Sequence, residues 1–405
     1  MTSEQTGGLL SHRPFVFFWI SRVFGSIAFQ ASSVLIGWQV YERTGSAYAL
    51  GFVGLLQFLP MLVLTFVVGH VADRYDRRRI VVACQALEAL TLGLLTLALL
   101  TGRLDVAGVY AAAVALGAAR AFESPTQSAL LPGLVPAGLV SRALAASSSA
   151  MQTASIAGPA LGGLLYAVNP TLAFGITALF FAFGCTAMAA IQRAENVRGR
   201  EPVTLRSLFA GIGFIRGRPL VLGTISLDLF AVLLGGVTAL LPIYAADILH
   251  TGPAGLGLLR SAPAVGGLLM ALLLARVELK RHIGMKMFGS VIGFGLATIV
   301  FALSTDLVLS CAALFFAGAA DNVSVVIRNS LVLLSTPDEM RGRVNAVNFL
   351  FIGTSNQLGE FESGMVAGLL GAVPSALIGG IGTVLVALLW MRLFPTLRKA
   401  DSFTG

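Results

Sequence analysis

Charged side chains stranded in apolar stretches carry the chemistry of this chain. Arg22, Glu88, Arg120, Glu123, Asp228, Arg260, Asp321, Arg328, Glu360 and Glu362 each sit inside a long hydrophobic run. On insertion scales a charge in hydrocarbon costs roughly 2.5–3.5 kcal/mol, so each needs a partner or a task. Acids and bases in such places can trade a proton. A carboxylate released from its arginine takes one up, and the change in charge biases which of two conformations is favoured. Bond-making chemistry has no support: the sequence contains no Gly-x-x-x-x-Gly-Lys-Ser/Thr, no His-Glu-x-x-His and no Gly-x-Ser-x-Gly. An enzyme is therefore not expected, nor a cofactor, and the driving force is expected to be an ion gradient, protons rather than sodium. Cys84, Cys185 and Cys311 show no metal-ligand spacing. They are expected to pack as small apolar residues, and no metal site is expected.

Depth follows from a helical rise of about 1.5 Å per residue. Arg22 lies about 12 Å into its run and Glu123 about 13 Å from the end of its own, so the two are expected to pair if those helices adjoin. Arg74 or Arg77 is the alternative partner for Glu123. Asp228 and Arg328 form a second expected pair with the signs reversed, and Asp321 lies nearest mid-depth. Asp321, Asp228, Glu360 and Glu123 are the proton-coupling candidates. Arg22, Arg328, Asn356 and Asn322 are the candidates for lining a substrate cavity. Asn356 and Glu360, spaced i, i+4, share a helix face, whereas Glu362 points roughly 200° away from Glu360. Only one of those acids is expected to face a path, and Glu360 is the choice. Glu88 is expected near lipid or packed on a neighbouring helix. A purely structural role, locking helices together, is the alternative for every pair.

The elements that must hold these groups are membrane spans. The 405 residues are 56% hydrophobic and 11% charged, against about 45–50% and 25% in soluble domains. Twelve runs of roughly the ~20 residues needed to cross a bilayer are expected. They are Phe15–Tyr41, Ala47–Ala72, Ile80–Thr101, Val106–Leu131, Leu139–Val168, Pro170–Gln192, Pro219–Ile248, Gly255–Leu279, Ile283–Ser304, Leu307–Leu334, Val344–Leu370 and Ser375–Phe394. Lys and Arg concentrate in alternate loops, with only Arg43 and Arg103 in the others, which predicts that both termini are cytoplasmic. The net charge of +8 is read as basic loops facing an anionic leaflet, not as nucleic-acid binding. No removable signal peptide is expected. The polar stretch Arg193–Arg218 separates an N-terminal bundle (1–192) from a C-terminal bundle (219–405), and within this linker (193–218) a short surface helix is expected at Leu205–Ile215. A weak repeat relates the halves: Arg13-Pro14 to Arg218-Pro219, Thr44-Gly45 to Thr251-Gly252, and Pro136 with Arg142 to Pro337 with Arg343. Repeated bundles of this kind place a binding site at mid-membrane depth between them.

Between the second and third runs lies Gly69-His70-Val71-Ala72-Asp73-Arg74-Tyr75-Asp76-Arg77-Arg78-Arg79. Its spacing, Gly-x-x-x-Asp-Arg-x-x-Arg-Arg, resembles the loop between helices 2 and 3 of the major facilitator superfamily, a large group of secondary transporters. That family usually has glycine where this chain has Asp76. The stretch from Ala154 to Gly163 is similar to the Gly-x-x-x-Gly-Pro-x-x-Gly-Gly signature of its antiporter branches, with Ala154 for the first glycine. The Arg-x-x-Gln-Gly pattern of many drug antiporters is not met at Arg120, which is followed by Glu123-Ser124. Phe122-Glu123-Ser124-Pro125 through Leu130-Leu131-Pro132, Arg328-Asn329 through Arg343-Val344, and Gly359-Glu360-Phe361-Glu362-Ser363-Gly364 look like the branch of enterobactin-type siderophore exporters and macrolide efflux proteins.

This resemblance implies an all-α integral membrane fold of twelve transmembrane helices in two pseudo-symmetric six-helix bundles. It implies proton-coupled export of a small amphipathic molecule, a siderophore or a drug, by alternating access. Asp73 would meet the N-terminus of the eleventh helix near Arg343-Val344, and with Gly69, Arg74, Arg77 and Arg78 would form a conformational latch. Gly158, Pro159, Gly162 and Gly163 would mark the antiporter-like helix. A lysophospholipid transporter or flippase, a nutrient importer and a non-transporting scaffold are the rival readings. The expected partners are a small-molecule substrate, protons and membrane lipids, with no nucleic acid. The chain is expected to act as a monomer in a bacterial inner membrane.

Overall fold

Each apolar run folds as a helix, because in hydrocarbon the backbone must satisfy its hydrogen bonds internally. The computed structural model describes residues 8–192, 205–277 and 281–402, and no strand occurs among them. Among the described residues ten helices are long and apolar enough to cross a membrane. They are helix 1 (Arg13–Thr44), helix 2 (Ala47–Arg74), helix 3 (Arg77–Leu100), helix 4 (Val106–Leu130) and helix 6 (Pro170–Ala189). The rest are helix 7 (Pro219–Ile248), helix 8 (Gly252–Leu274), helix 9 (Ile283–Leu303), helix 10 (Leu307–Leu334) and helix 12 (Ala372–Leu393). Two further expected spans, helix 5 (Val140–Val168) and helix 11 (Asp338–Leu370), are continuous over 29 and 33 residues. They are long enough to cross but more polar, and their Ser, Gly and Asn side chains suit helix–helix contact better than lipid.

Helix ends follow local chemistry. Asp76, Asp105, Asn169 and Asp306 each cap a helix by accepting a backbone N–H two or three residues on. At Asp76, where the resembled family usually has glycine, the carboxylate accepts from Arg78 N at 2.9 Å and so starts helix 3. Helix 11 begins at Asp338 after Pro337, earlier than the expected Val344. Pro337 supplies an extended residue before the first turn, so Arg343-Val344 lies inside the helix, and its N-terminus is at Pro337-Asp338. Helix 7 is continuously α-helical from Pro219 to Gly235, with one further short α turn at Leu241–Ile243. Gly236, a 3-10 turn at Val237–Leu240 and a π turn at Tyr244–Ile248 complete the crossing. Two adjacent glycines followed by Pro242, which lacks an N–H, account for that break.

Contacts divide the chain into two compact units, Met1–Arg43 with Leu56–Pro202, and Thr44–Leu55 with Val203–Gly405. In the first, Phe15, Phe18, Val81, Leu131, Ala143 and Met188 form a core at the arginine-rich end of helix 3. Helix 3 turns Leu87, Leu90, Leu94 and Leu97 outward. The opposite face, with Val81, Gln85, Glu88, Leu92 and Leu95, is buried. In the second unit, Leu227, Ile283, Phe288, Ile327 and Leu331 form the core. The linker helix (Leu205–Arg216) packs on helix 11: a Cβ on Gly211 would stand 2.8 Å from the Arg343 carbonyl oxygen. The Thr44–Leu55 stretch, which includes the first turns of helix 2, also belongs here, because Gly51 and Gly364 let it touch helix 11 backbone to backbone.

Candidate functional site

In the first unit six polar side chains centred on Glu123 form one continuous network. Arg120, Glu123 and Gln127 are spaced i, i+3 and i+7, so they share one face of helix 4. Glu123, 1% exposed, accepts from Gln85 Nε2 at 2.9 Å and Gln127 Nε2 at 2.8 Å on Oε1, and from Arg120 Nη1 at 3.0 Å on Oε2. Arg22 of helix 1 donates to Gln127 Oε1 at 2.6 Å, and Ser21 Oγ donates to Gln85 Oε1 at 3.0 Å. The expected Arg22–Glu123 pairing is therefore indirect: Arg120, one turn away on the same helix, holds the carboxylate, and Gln127 bridges to Arg22. Gln85 fits because Gly25 of helix 1 and Gly184 of helix 6 leave it a slot; Cβ atoms there would stand 2.9 and 3.3 Å from its amide atoms. The Arg120 guanidinium also lies 4.5 Å from the centre of the Phe29 ring.

Glu88 takes the second of its two expected placements, packed inside the bundle and away from lipid. It is 0% exposed, and neither carboxylate oxygen has a hydrogen-bond partner. Lipid contact is excluded, because the outward stripe of helix 3 runs through Leu87 and Leu90 and leaves position 88 on the inner face.

In the second unit the arrangement is barer. Asp228 of helix 7 is ion-paired with Arg328 Nη1 of helix 10, both buried. Asp228 also lines a small cavity with Ala231, Val232, Val291, Phe294, Asp321 and Ser324, with room for about one water molecule. Among the described residues Asp321 has no ion-pair partner, and Ser324 Oγ is buried without a hydrogen bond. Asn322, one residue and about 100° further round helix 10, faces Gly267 of helix 8 instead, with its Oδ1 buried and unbonded. Glu360 of helix 11 lies against Gly54 and within electrostatic range of Arg260 on helix 8. Asn356 is exposed and donates to Ile352 O at 2.9 Å. Glu362 is half-buried beside Ser363 Oγ at 3.4 Å.

The motif residues divide in the same way. Arg77 donates to Ala129 O at 3.0 Å and Arg78 to Ile191 O, tying the start of helix 3 to the ends of helices 4 and 6. Arg74 is exposed, and the side chains of Gly69 and Asp73 lie outside the described residues. Gly158, Pro159, Gly162 and Gly163 are buried in helix 5. Cβ atoms on Gly158 and Gly162 would stand 2.5 Å from Gln30 Cβ and 3.0 Å from Ala31, so these glycines set a close crossing with helix 1. Reading the sequence for charges passed over Ser21, Gln85, Gln127 and Ser324. The spacing of Arg120, Glu123 and Gln127 on one helical face was the available signal for the first network.

Known proteins place this architecture. The model for a family described as transmembrane secretion effector matches residues 7–404. An enterobactin exporter, EntS, from Citrobacter koseri is 25% identical over 392 residues, covering 96% of this chain and 94% of that one. A multidrug efflux pump, Tap, from Mycobacterium tuberculosis is 28% identical over 382 residues, covering 91% and 90%. The crystal structure of a nucleoside transporter, NupG, superposes with a TM-score of 0.74 at 15% identity, over 94% of this chain and 99% of that one, a likeness of fold. Buried ion pairs in membrane-length helices, the charged loop and these matches converge on one placement. The chain belongs to the transmembrane secretion effector family of the major facilitator superfamily and is a multi-pass membrane transporter of a small-molecule substrate.

Proposed function

We propose that this transporter exports a small amphipathic molecule, a siderophore or a drug, in exchange for protons. One observation carries the reading: Asp321 and Asp228 line the same water-sized cavity, and Arg328 is the base paired there. Two carboxylates and one base leave one negative charge unmatched in a setting where that is expensive, so a proton on one acid relieves it. The cavity is far too small for cargo, which suits a proton site rather than a substrate site. Moving the proton changes the charge beside Arg328, and that change biases which side of the membrane the substrate path opens to. Arg22, Arg328, Asn322 and Asn356 remain the candidates for substrate contact, with Glu123 and Glu360 as further coupling acids. Gly69, Asp73, Arg74, Arg77 and Arg78 act as the latch at the cytoplasmic end, and the close helix 1–helix 5 crossing at Gly158 and Gly162 suits antiport. The relatives' printed functions, enterobactin export and multidrug efflux, support the cargo class. We place the monomer in a bacterial inner membrane with both termini inside.

The test is purified protein in proteoliposomes, challenged with a panel of siderophores, macrolides and cationic dyes under an imposed pH gradient. The reading expects a panel compound to move with a counter-flow of protons. Flux that persists unchanged after both the pH gradient and the membrane potential are collapsed would sink it.

A further inference from the structure

Among the described residues Glu88 is the one buried acid that the mechanism above leaves idle. It sits eleven residues into helix 3, about 16 Å from the arginine-rich end, near the middle of a core about 30 Å thick. Both carboxylate oxygens are buried without hydrogen bonds. Native proteins rarely leave such a group unsatisfied, and an ionised carboxylate there would be a charge with neither water nor partner. The ionisable groups facing it are Cys84 on its own helix and Arg120 and Glu123 on helix 4. The cations are already engaged: Arg120 bonds Glu123, and Arg22 bonds Gln127. Gln85, one turn from Glu88 on the same face, is a neutral relay whose amide spans from Ser21 to Glu123.

We propose that Glu88 is a second proton-binding site, in the N-terminal unit, whose occupancy is set by the Glu123 network. In the arrangement described here the proton sits on a Glu88 carboxylate oxygen. When Arg120 swings from its present acceptor toward Glu88, the O–H bond breaks, the proton leaves to water, and the carboxylate gains a counter-charge. Reversing the swing takes the proton back from water. The site would make two protons per cycle available, one in each unit, and it rests on the proton-coupled reading for its use but not for its existence.

The test therefore needs no substrate. Full-length protein in lipid is titrated while the infrared carbonyl stretch of protonated carboxylic acids is recorded, for wild type, Glu88→Gln, Glu88→Asp and Asp321→Asn. Glutamine keeps size and polarity but cannot titrate, and aspartate guards against a mere folding defect. The proposal expects a pH-dependent acid band that Glu88→Gln removes, Glu88→Asp shifts and Asp321→Asn leaves in place, with one proton fewer released per chain in the glutamine variant. Identical bands in wild type and Glu88→Gln would overturn it, as would a Glu88 band that never responds to pH. Loss of a band in Asp321→Asn alone would leave the C-terminal proton site standing and remove this one. Absence of proton-coupled transport with the Glu88 titration intact would do the reverse.

Discussion

In the N-terminal unit Glu123 accepts three hydrogen bonds from two amides and an arginine. In the C-terminal unit Asp228 meets Arg328 beside a cavity, and Asp321 has no ion-pair partner among the described residues. The same problem, charge inside hydrocarbon, is solved by a web in one half and by a bare pair with a water-sized space in the other. A web resists change, because moving one member strands the others. A pair beside a cavity can open when a proton arrives. The difference makes the Arg120 swing that would charge Glu88 the costlier step and puts the more readily moved proton on helices 7 and 10.

Breaking the pair tests the C-terminal half hardest. Arg328→Ala leaves Asp228 buried and unmatched and is expected to cost about 3–5 kcal/mol of stability, read as a lower unfolding midpoint in detergent. Adding Asp228→Asn should restore most of the loss. If the double variant is no better than the single, the pair is not what holds helices 7 and 10 together. On the N-terminal side, Gly158→Leu pushes atoms into Gln30 and the helix 1 backbone, and overpacking of this kind costs about 1–3 kcal/mol. Transport should fall with it, whereas Gly213→Leu, at a glycine facing open space, should change neither. Gln85→Leu removes the amide that joins Ser21 to Glu123, leaving the buried Ser21 hydroxyl without its acceptor and Glu123 Oε1 one donor short, at a cost of about 1–3 kcal/mol. The smallest effect on stability is expected at exposed Arg74, where alanine should stay within about 0.5 kcal/mol. A transport rate that nevertheless falls in Arg74→Ala separates a latch from a structural arginine, and an unchanged rate removes Arg74 from the latch.

Much of this was legible before any coordinates. Depth counting along helices with a fixed rise brought Asp228 and Arg328 to the same level, and they are paired. It also put Arg22 and Glu123 level, but charge arithmetic ignores amides, so Gln127 and Gln85 went unread although both lie in the contact. For Glu88 the sequence allows lipid or a neighbouring helix, because a lone acid says nothing about which face it occupies; the leucine stripe at 87, 90, 94 and 97 decides for the neighbouring helix. Helix 11 starts at Pro337-Asp338 and not at Val344 because a proline cap outweighs a polar first turn. The assignment of Thr44–Leu55 to the second unit follows from Gly51 meeting Gly364. No single-residue property announces a contact between two glycines far apart in sequence.

The sharpest single measurement is substrate exchange by Asp321→Asn in proteoliposomes, using a panel compound that the wild-type protein carries. Two modes are compared: counterflow, in which labelled and unlabelled substrate swap without net proton movement, and accumulation driven by an imposed pH gradient. The account predicts that the variant keeps counterflow and loses accumulation, because the path still opens to each side but no longer carries a proton with it. Accumulation at the wild-type rate in that variant would contradict the claim that Asp321 moves the proton.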